Sequence, residues 1–368
     1  MIAATIESES DAAARKTSTA DSSPCTVARV QDGRYAAWDT FVQNHEFGSI
    51  FHTIAWRNSV ERTFGHKDSY LLAERDGAIV GVLPMFLVDS RFVGRLLTSV
   101  PCAVEGGVLA SDGEAAGVLF HEATRIATAC DCAAIDLRSE RAAFPDVPIV
   151  ERYVGFRREL PESAADVLGW LPRKARAAAR NGRHKFGLSI SYGAEHLREV
   201  WRLYSISMRR LASLNYPYRF FETLVELTPQ RHWVSLVRWN GKPVAGLLTL
   251  LFKDRVVPYF LGTTSEAKRC SAANFIYLDA MERGVAAGYR IFDFGRSRRD
   301  NTGSFDFKRF QGFEPRPLQY QCHVLPGHSA PDLSPNNPRY GLARRIWPHL
   351  PLSLTRALGA RLSAHIPG

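Results

Sequence analysis

Two stretches of the chain repeat one pattern of apolar and polar positions. Residues 70–90 read YLLAERDGAIVGVLPMFLVDS, and residues 233–255 read WVSLVRWNGKPVAGLLTLLFKDR. Each is an apolar run, a polar turn centred on Gly77 or Gly241, and a second apolar run closed by Asp89 or Asp254. Strand-forming residues on both sides of a glycine turn predict a β-hairpin in each place. Downstream, Leu119, Ala123, Ile126 and Cys130 recur at helical spacing, as do Phe275, Leu278, Met281 and Val285. Each hairpin therefore leads into a helix with one apolar face. Each helix gives way to a short strand ending in an acid and an arginine, 134-AIDLRS-139 and 291-IFDFGRS-297.

Hairpin, strand, helix and strand thus occur twice in one order, which argues for duplication. The predicted fold class is α+β, a mixed α/β arrangement of two tandem domains. Pro145, Pro148, Pro161 and Pro172 punctuate the chain between the copies. The division expected is a disordered polar tail over 1–28, a first domain over 29–160, a second over 161–325 and a basic appendage over 326–368.

Composition narrows the classes. At 368 residues the chain exceeds the usual single domain, and its 45% hydrophobic share suffices for packed cores. No run approaches the ~20 apolar residues of a membrane span. The N-terminus lacks the apolar core of a signal peptide, so a cytoplasmic location is expected. A net charge of +10 favours anionic partners. The six cysteines have no zinc spacing: Cys130 and Cys132 are separated by one residue. Reduced, mostly buried thiols and no metal site are expected.

Several segments carry a family resemblance. The basic run 172-PRKARAAARNGRHKFGLSI-190 and the block 293-DFGRSRRDNTGSFDFKRFQGFEPRPLQY-320 resemble FemAB-type proteins of the GNAT superfamily. With 52-HTIAWRNSVERTFGHK-67, Leu83-Pro84 and Gly106-Gly107, they look like the subgroup that accompanies exosortase and PEP-CTERM exopolysaccharide systems. The resemblance spans roughly residues 30–350. It implies two tandem GNAT-like (acyl-CoA N-acyltransferase-like) domains, the second a FemAB-like acetyltransferase. It also implies transfer of an acyl or aminoacyl group to an amine or hydroxyl of a cell-envelope or exopolysaccharide precursor. Acyl-CoA or aminoacyl-tRNA would be the co-substrate, with no tightly bound cofactor, and the first domain would mainly wall the acceptor cleft.

Acyl transfer needs a path for the acceptor's proton and positive charge where the oxyanion develops. By the family's F-K element, Lys308 is the candidate charge stabiliser, and its neighbours Phe305, Phe307 and Phe310 would desolvate it. The competing reading is a surface lysine on an edge strand. Asp293 and Arg296 are the other catalytic candidates, against a reading as an ion pair that pins a loop. Gly295 and Ser297 on the same strand, with Tyr259, are expected to contact substrate. The DFG triplet lacks every other kinase element. Arg173, Arg176 and Arg180 fall on one helix face and could hold donor phosphates, unless they are simply a solvated stripe. In acetyltransferases the CoA pyrophosphate rests on glycine amides at a helix start. Here Ala272, Ala273 and Asn274 occupy that stretch, with Asn274 the remaining polar contact.

Near the C-terminus, Ile346, Trp347, Leu350, Leu354 and Leu358 are interleaved with Arg344, Arg345, Arg356 and Arg361. The stripe suits peripheral docking on an anionic inner-membrane surface or, alternatively, a brace packed on the second domain. The rival to an enzyme is a non-catalytic GNAT-fold scaffold or carbohydrate-binding protein of an exopolysaccharide system.

Overall fold

A computed structural model describes residues 23–332 and 340–366. Three sheets carry the architecture. The first orders β1 (Thr26–Arg29), β3 (Leu71–Arg75), β4 (Ala78–Leu83) and β7 (Leu109–Ala110). The second runs β16 (Gln321–Val324), β8 (Ala134–Leu137), β6 (Gly94–Ser99), β5 (Met85–Ser90) and β2 (Lys67–Asp68). The third runs β10 (Ser189–Tyr192), β11 (His232–Trp239), β12 (Lys242–Phe252), β13 (Arg255–Thr263), β14 (Ile291–Arg298), β9 (Tyr153–Glu159) and β15 (Pro315–Pro317).

The repeated hairpins are built as the sequence predicts. β3 and β4 close at Arg75 and Ala78, with Asp76 at φ 52° and Gly77 at 76°. β11 and β12 close at Trp239 and Lys242, with Asn240 at 48° and Gly241 at 77°. Two consecutive left-handed residues match the right-handed twist of the flanking strands, hence Asp-Gly and Asn-Gly.

Helices α1 (Tyr35–Asn44) and α2 (Ile54–Phe64) precede the first hairpin, and α3 (Gly113–Ala129) follows it. The Asp112 carboxylate caps α3 by accepting from the amide of Ala115, and Leu119, Ala123 and Ile126 are buried. In the second half, α4 (Val167–Trp170), α5 (Arg173–Arg180), α6 (Leu197–Arg210) and α7 (Tyr218–Leu227) precede the hairpin. There α8 (Ala272–Ala286) buries Phe275, Leu278 and Met281. α9 (Thr302–Phe310) follows β14, and α10 (Gly341–Ile346) and α11 (Leu352–Leu362) come last. α2 packs on α7, and Trp56 meets Phe220 edge-on at 5.6 Å. One core therefore runs through both halves. Burying Phe220 alone contributes about 1.5–3 kcal/mol.

One expectation is corrected. The tail lies outside the described residues up to 22, but Thr26–Arg29 pairs with β3 as an edge strand. Two strands also cross the expected boundary at 160. β9, which follows β8 in the chain, leaves for the third sheet and pairs antiparallel with β14. β16, which follows the second half, returns and pairs antiparallel with β8. Each half completes the other's sheet. The apolar alternation of a short strand reports that it is half-buried and carries no information about which sheet it completes.

Candidate active site

The site is built on an irregularity in the third sheet. β13 and β14 run parallel, yet pair only through Arg255 with Ile291 and Val256 with Phe292. Beyond that, β14 bulges. Asp293 faces Arg157 on β9, while Arg296 faces Gly155, so β14 carries one residue more than its partner over this interval. Gly295 supplies the bulge with φ +64°, a conformation that costs other residues about 1–2 kcal/mol. Its amide donates to the Asp293 carboxylate at 2.8 Å.

Lys308 holds the bulge from the opposite side. It lies on a helix, α9, rather than on an edge strand, and it is buried. Its ammonium donates to the carbonyls of Arg296 at 2.8 Å, Phe294 at 2.9 Å and Gly295 at 3.4 Å. Three donors meet three acceptors. Burial pulls its pKa down to about 7, opposed by the Asp293 charge and reinforced by Arg296.

On the other face of the bulge is a cavity of about 170 Å³, lined by Val104, Glu105 and Glu140 from the first half and by Arg157, Asp293 and Gly295. Arg157 is its hub. It donates from Nε to Asp293 at 3.1 Å and from a terminal nitrogen to Glu105 at 2.9 Å, and it also pairs with Glu140. Arg255 stands 3.7 Å from Glu105. Three carboxylates thus crowd around Arg157 and Arg255, with Arg316 also on the lining. Glu105 is the carboxyl that this setting pushes to hold a proton. Desolvation first, then Glu140 and Asp293, push its pKa up to about 8 against the pull of Arg157 and Arg255. Arg157 is held charged by the same carboxylates.

The loop bearing Glu105 is fixed by buried polar contacts. His52 donates from Nε2 to the Gly107 carbonyl at 3.1 Å, and its Nδ1 receives Ser49 Oγ at 2.8 Å, which assigns the neutral tautomer. Burial lowers its pKa to about 3, so it stays neutral. Tyr320 donates to the Val104 carbonyl and Tyr259 to that of Cys102. Val100 and Cys102 sit at φ 41° and 61°. A β-branched residue in that region stores strain, which concentrates at functional loops.

The sequence-named residues divide into four groups. Asp293 and Gly295 line the cavity. Lys308, Arg296 and Ser297 surround the same bulge without lining it. Arg296 stacks on Tyr153 at 4.6 Å, and Ser297 shares a hydroxyl contact with Ser304 at 2.9 Å. Tyr259 pins the loop from an aromatic cluster with Phe51 and Trp56. The phosphate-binding candidates lie apart, at α5 and the start of α8. Ala175 and Ala179 are buried, Arg173 and Arg180 are exposed, and Arg176 donates to the Gly169 carbonyl at 3.3 Å. Gly182 seats the end of α5 against α8, where a Cβ would come within 2.9 Å of Phe275. The amide nitrogen of Asn274 is buried there without a partner among the described residues. Sequence reasoning missed Glu105, Glu140, Arg157 and Arg255. The one available signal was Glu105 immediately before Gly106-Gly107. The first half supplies ionisable groups as well as a wall.

Residues 166–309 match the family model described as acetyltransferase (GNAT) domain. The second half is thus similar to a GNAT acetyltransferase domain, and the chain as a whole has a tandem GNAT-like fold. Among solved structures, FemX superposes with a TM-score of 0.62 at 13% identity, over 87% of this chain and 100% of its own. A tandem GNAT protein from the clavulanic acid biosynthesis pathway gives 0.54 at 12%, over 81% and 99%. L-PGS from Bacillus licheniformis gives 0.51 at 12%, over 89% and 97%. No curated protein sequence matches.

Proposed function

We propose that the protein transfers an acyl or aminoacyl group to an amine or hydroxyl of a cell-envelope or exopolysaccharide precursor, with Glu105 as the general base. The observation that carries this reading is a carboxylate with a pKa near 8 in a cavity beside the splayed strands β13 and β14. A general base serves best when its pKa lies near the working pH. Ionised Glu105 takes the proton as the acceptor nitrogen or oxygen attacks the donor carbonyl carbon. The tetrahedral intermediate then expels the donor's thiolate or ribose oxygen, which receives the proton in turn. Arg157 orients Glu105 and Asp293, while Lys308 and Gly295 hold the bulge that sets Asp293 in place. The donor, acyl-CoA or aminoacyl-tRNA, lays its phosphates along Arg173, Arg176 and Arg180 towards Asn274.

A non-catalytic scaffold is the second reading. It is favoured by Ala272 and Ala273, whose side chains occupy the stretch where glycine amides cradle a pyrophosphate in acetyltransferases. Mass spectrometry of the exopolysaccharide and its lipid-linked precursor separates the two. Cells carrying Glu105→Gln should lose the same acyl mass as cells lacking the protein. Retention of that mass with Glu105→Gln, alongside its loss on deletion, would leave the scaffold standing.

A further inference from the structure

The C-terminal helices present two different faces. One is docked: Trp347 is buried and donates to the Ser213 carbonyl at 3.2 Å, and Arg356 stacks on Trp201 at 4.6 Å. The other is apolar and open, with Leu342 71%, Ile346 46%, Leu354 43% and Leu358 36% exposed. Residues 340–366 contain four arginines and no Asp or Glu. Beneath α10 lies a cavity of about 470 Å³, within the about 300–1,000 Å³ usual for small-ligand sites. Its walls include Phe92, Tyr153, Tyr216, Trp347, Leu362 and Ile366. Arg344 is the one charged residue among the described residues that line it.

We propose that this cavity takes one hydrocarbon chain of an anionic membrane lipid, with the open face of α10 and α11 resting on the bilayer surface. Apolar side chains buried at the interface and arginines beside anionic head groups are the two contributions that hold an amphipathic element there. The acid-free segment selects an anionic surface, and a deep aromatic cavity under it gives a chain somewhere to go. The cavity also lies in line with the candidate active site. Tyr153, Gly155 and Arg157 alternate on one face of β9, about 7 Å per two residues. Tyr153 lines the apolar cavity, and Gly155 and Arg157 line the ionic one. Delivery of a lipid-borne acceptor along this face rests on the acyltransferase reading; the lipid binding itself does not.

The test uses the whole protein and vesicles of phosphatidylglycerol or phosphatidylcholine. Sedimentation should show at least about tenfold stronger binding to phosphatidylglycerol, lost in an Arg344→Glu, Arg345→Glu, Arg361→Glu variant. Phosphatidylglycerol with brominated chains should quench the fluorescence component that disappears in Trp347→Phe. Ala343→Trp, which fills the cavity from α10, should keep vesicle binding and lose that quenching. Binding without quenching of Trp347 would overturn the cavity site. Equal binding to both vesicle types, or none, would overturn the lipid surface. Self-association that depends on Leu342 and Ile346, with no vesicle binding, would give the face to a second copy of the chain. Glu105→Gln should bind vesicles as wild type does, so failure of the chemistry and failure of the lipid site read out separately.

Discussion

The two halves carry the same strand with one residue's difference. In the first, 134-AIDLRS-139 is regular: Leu137 pairs with Gln321 and Asp136 with Cys322, without interruption. Arg138 reaches Asp136 two residues back, at 3.0 Å, and Asp136 also accepts from Thr98 at 2.9 Å. In the second, 291-IFDFGRS-297 has Gly295 between the corresponding positions, and the register slips. Asp293 then turns to Arg157 on the next strand, and Arg296 turns to Tyr153 and Tyr320. Opened by a bulge, the acid lines a cavity instead of closing on its own strand's arginine. The first half contributes Glu105 from the loop after β6, the position at which the second half runs from β13 towards α8.

The largest effect should come from Glu105→Gln, a loss of about 10²–10⁴ in turnover. With wild type, kcat/KM should rise with pH through about 8, as Glu105 ionises; the variant should lose that limb. Deleting Gly295 turns the second strand into a copy of the first. Asp293 should then close on Arg296 as Asp136 does on Arg138. The expected result is a folded protein with activity reduced about 10²-fold or more, roughly one displaced catalytic contact. Full activity in a folded deletion variant would detach the bulge from the chemistry.

Much of this architecture was legible in the sequence because local chemistry dictates it. Asp76-Gly77 and Asn240-Gly241 admit one kind of hairpin turn, and the apolar faces of α3 and α8 follow from helical spacing. Asp293 and Gly295 were legible because an acid and a glycine close a predicted strand inside the block that carries the family resemblance. The rest depends on distance. Glu105 meets Arg157 across 52 positions, and Arg157 meets Asp293 across 136. No spacing rule reaches that far. The strand exchange escapes local patterns for the same reason, and the F-K element with its aromatic neighbours points to a buried Lys308 without saying which way its ammonium faces. Its ammonium is turned to the backbone of β14.

In the function proposed above Lys308 is a positioning residue, and Lys308→Met tests it. Each orphaned buried carbonyl costs about 1–3 kcal/mol, so the melting temperature should fall by several degrees. The pH dependence is more specific. Lys308 has a pKa of about 7 in the folded protein against its ordinary 10.5, so the unfolded chain binds more protons between those values. Its contribution to stability rises with pH across that window. Glu105 has the opposite sign: raised from 4.5 to about 8, it is better protonated when folded, and stability falls as pH rises over that interval. Lys308→Met should remove the upper slope and Glu105→Gln the lower one. A melting profile unchanged in shape by either substitution would contradict the burial that sets both values.

The smallest effect is expected at the basic face of α5, which has no counterpart on α3. The arginine on α3, Arg125, is already paired with Glu122 at 2.7 Å, whereas Arg173 and Arg180 are exposed. Exposed charges contribute at most about 1 kcal/mol each. Arg176→Glu with Arg180→Glu should therefore raise the donor KM by roughly five- to fiftyfold, with kcat preserved. The effect should shrink in high salt, because surface charges are screened within about 10 Å at 0.1 M. Arg125→Glu is the matched control on the other half and should leave KM unchanged. If the double reversal and the control behave alike across the salt series, the α5 face is a solvated stripe, and the donor's phosphates lie elsewhere.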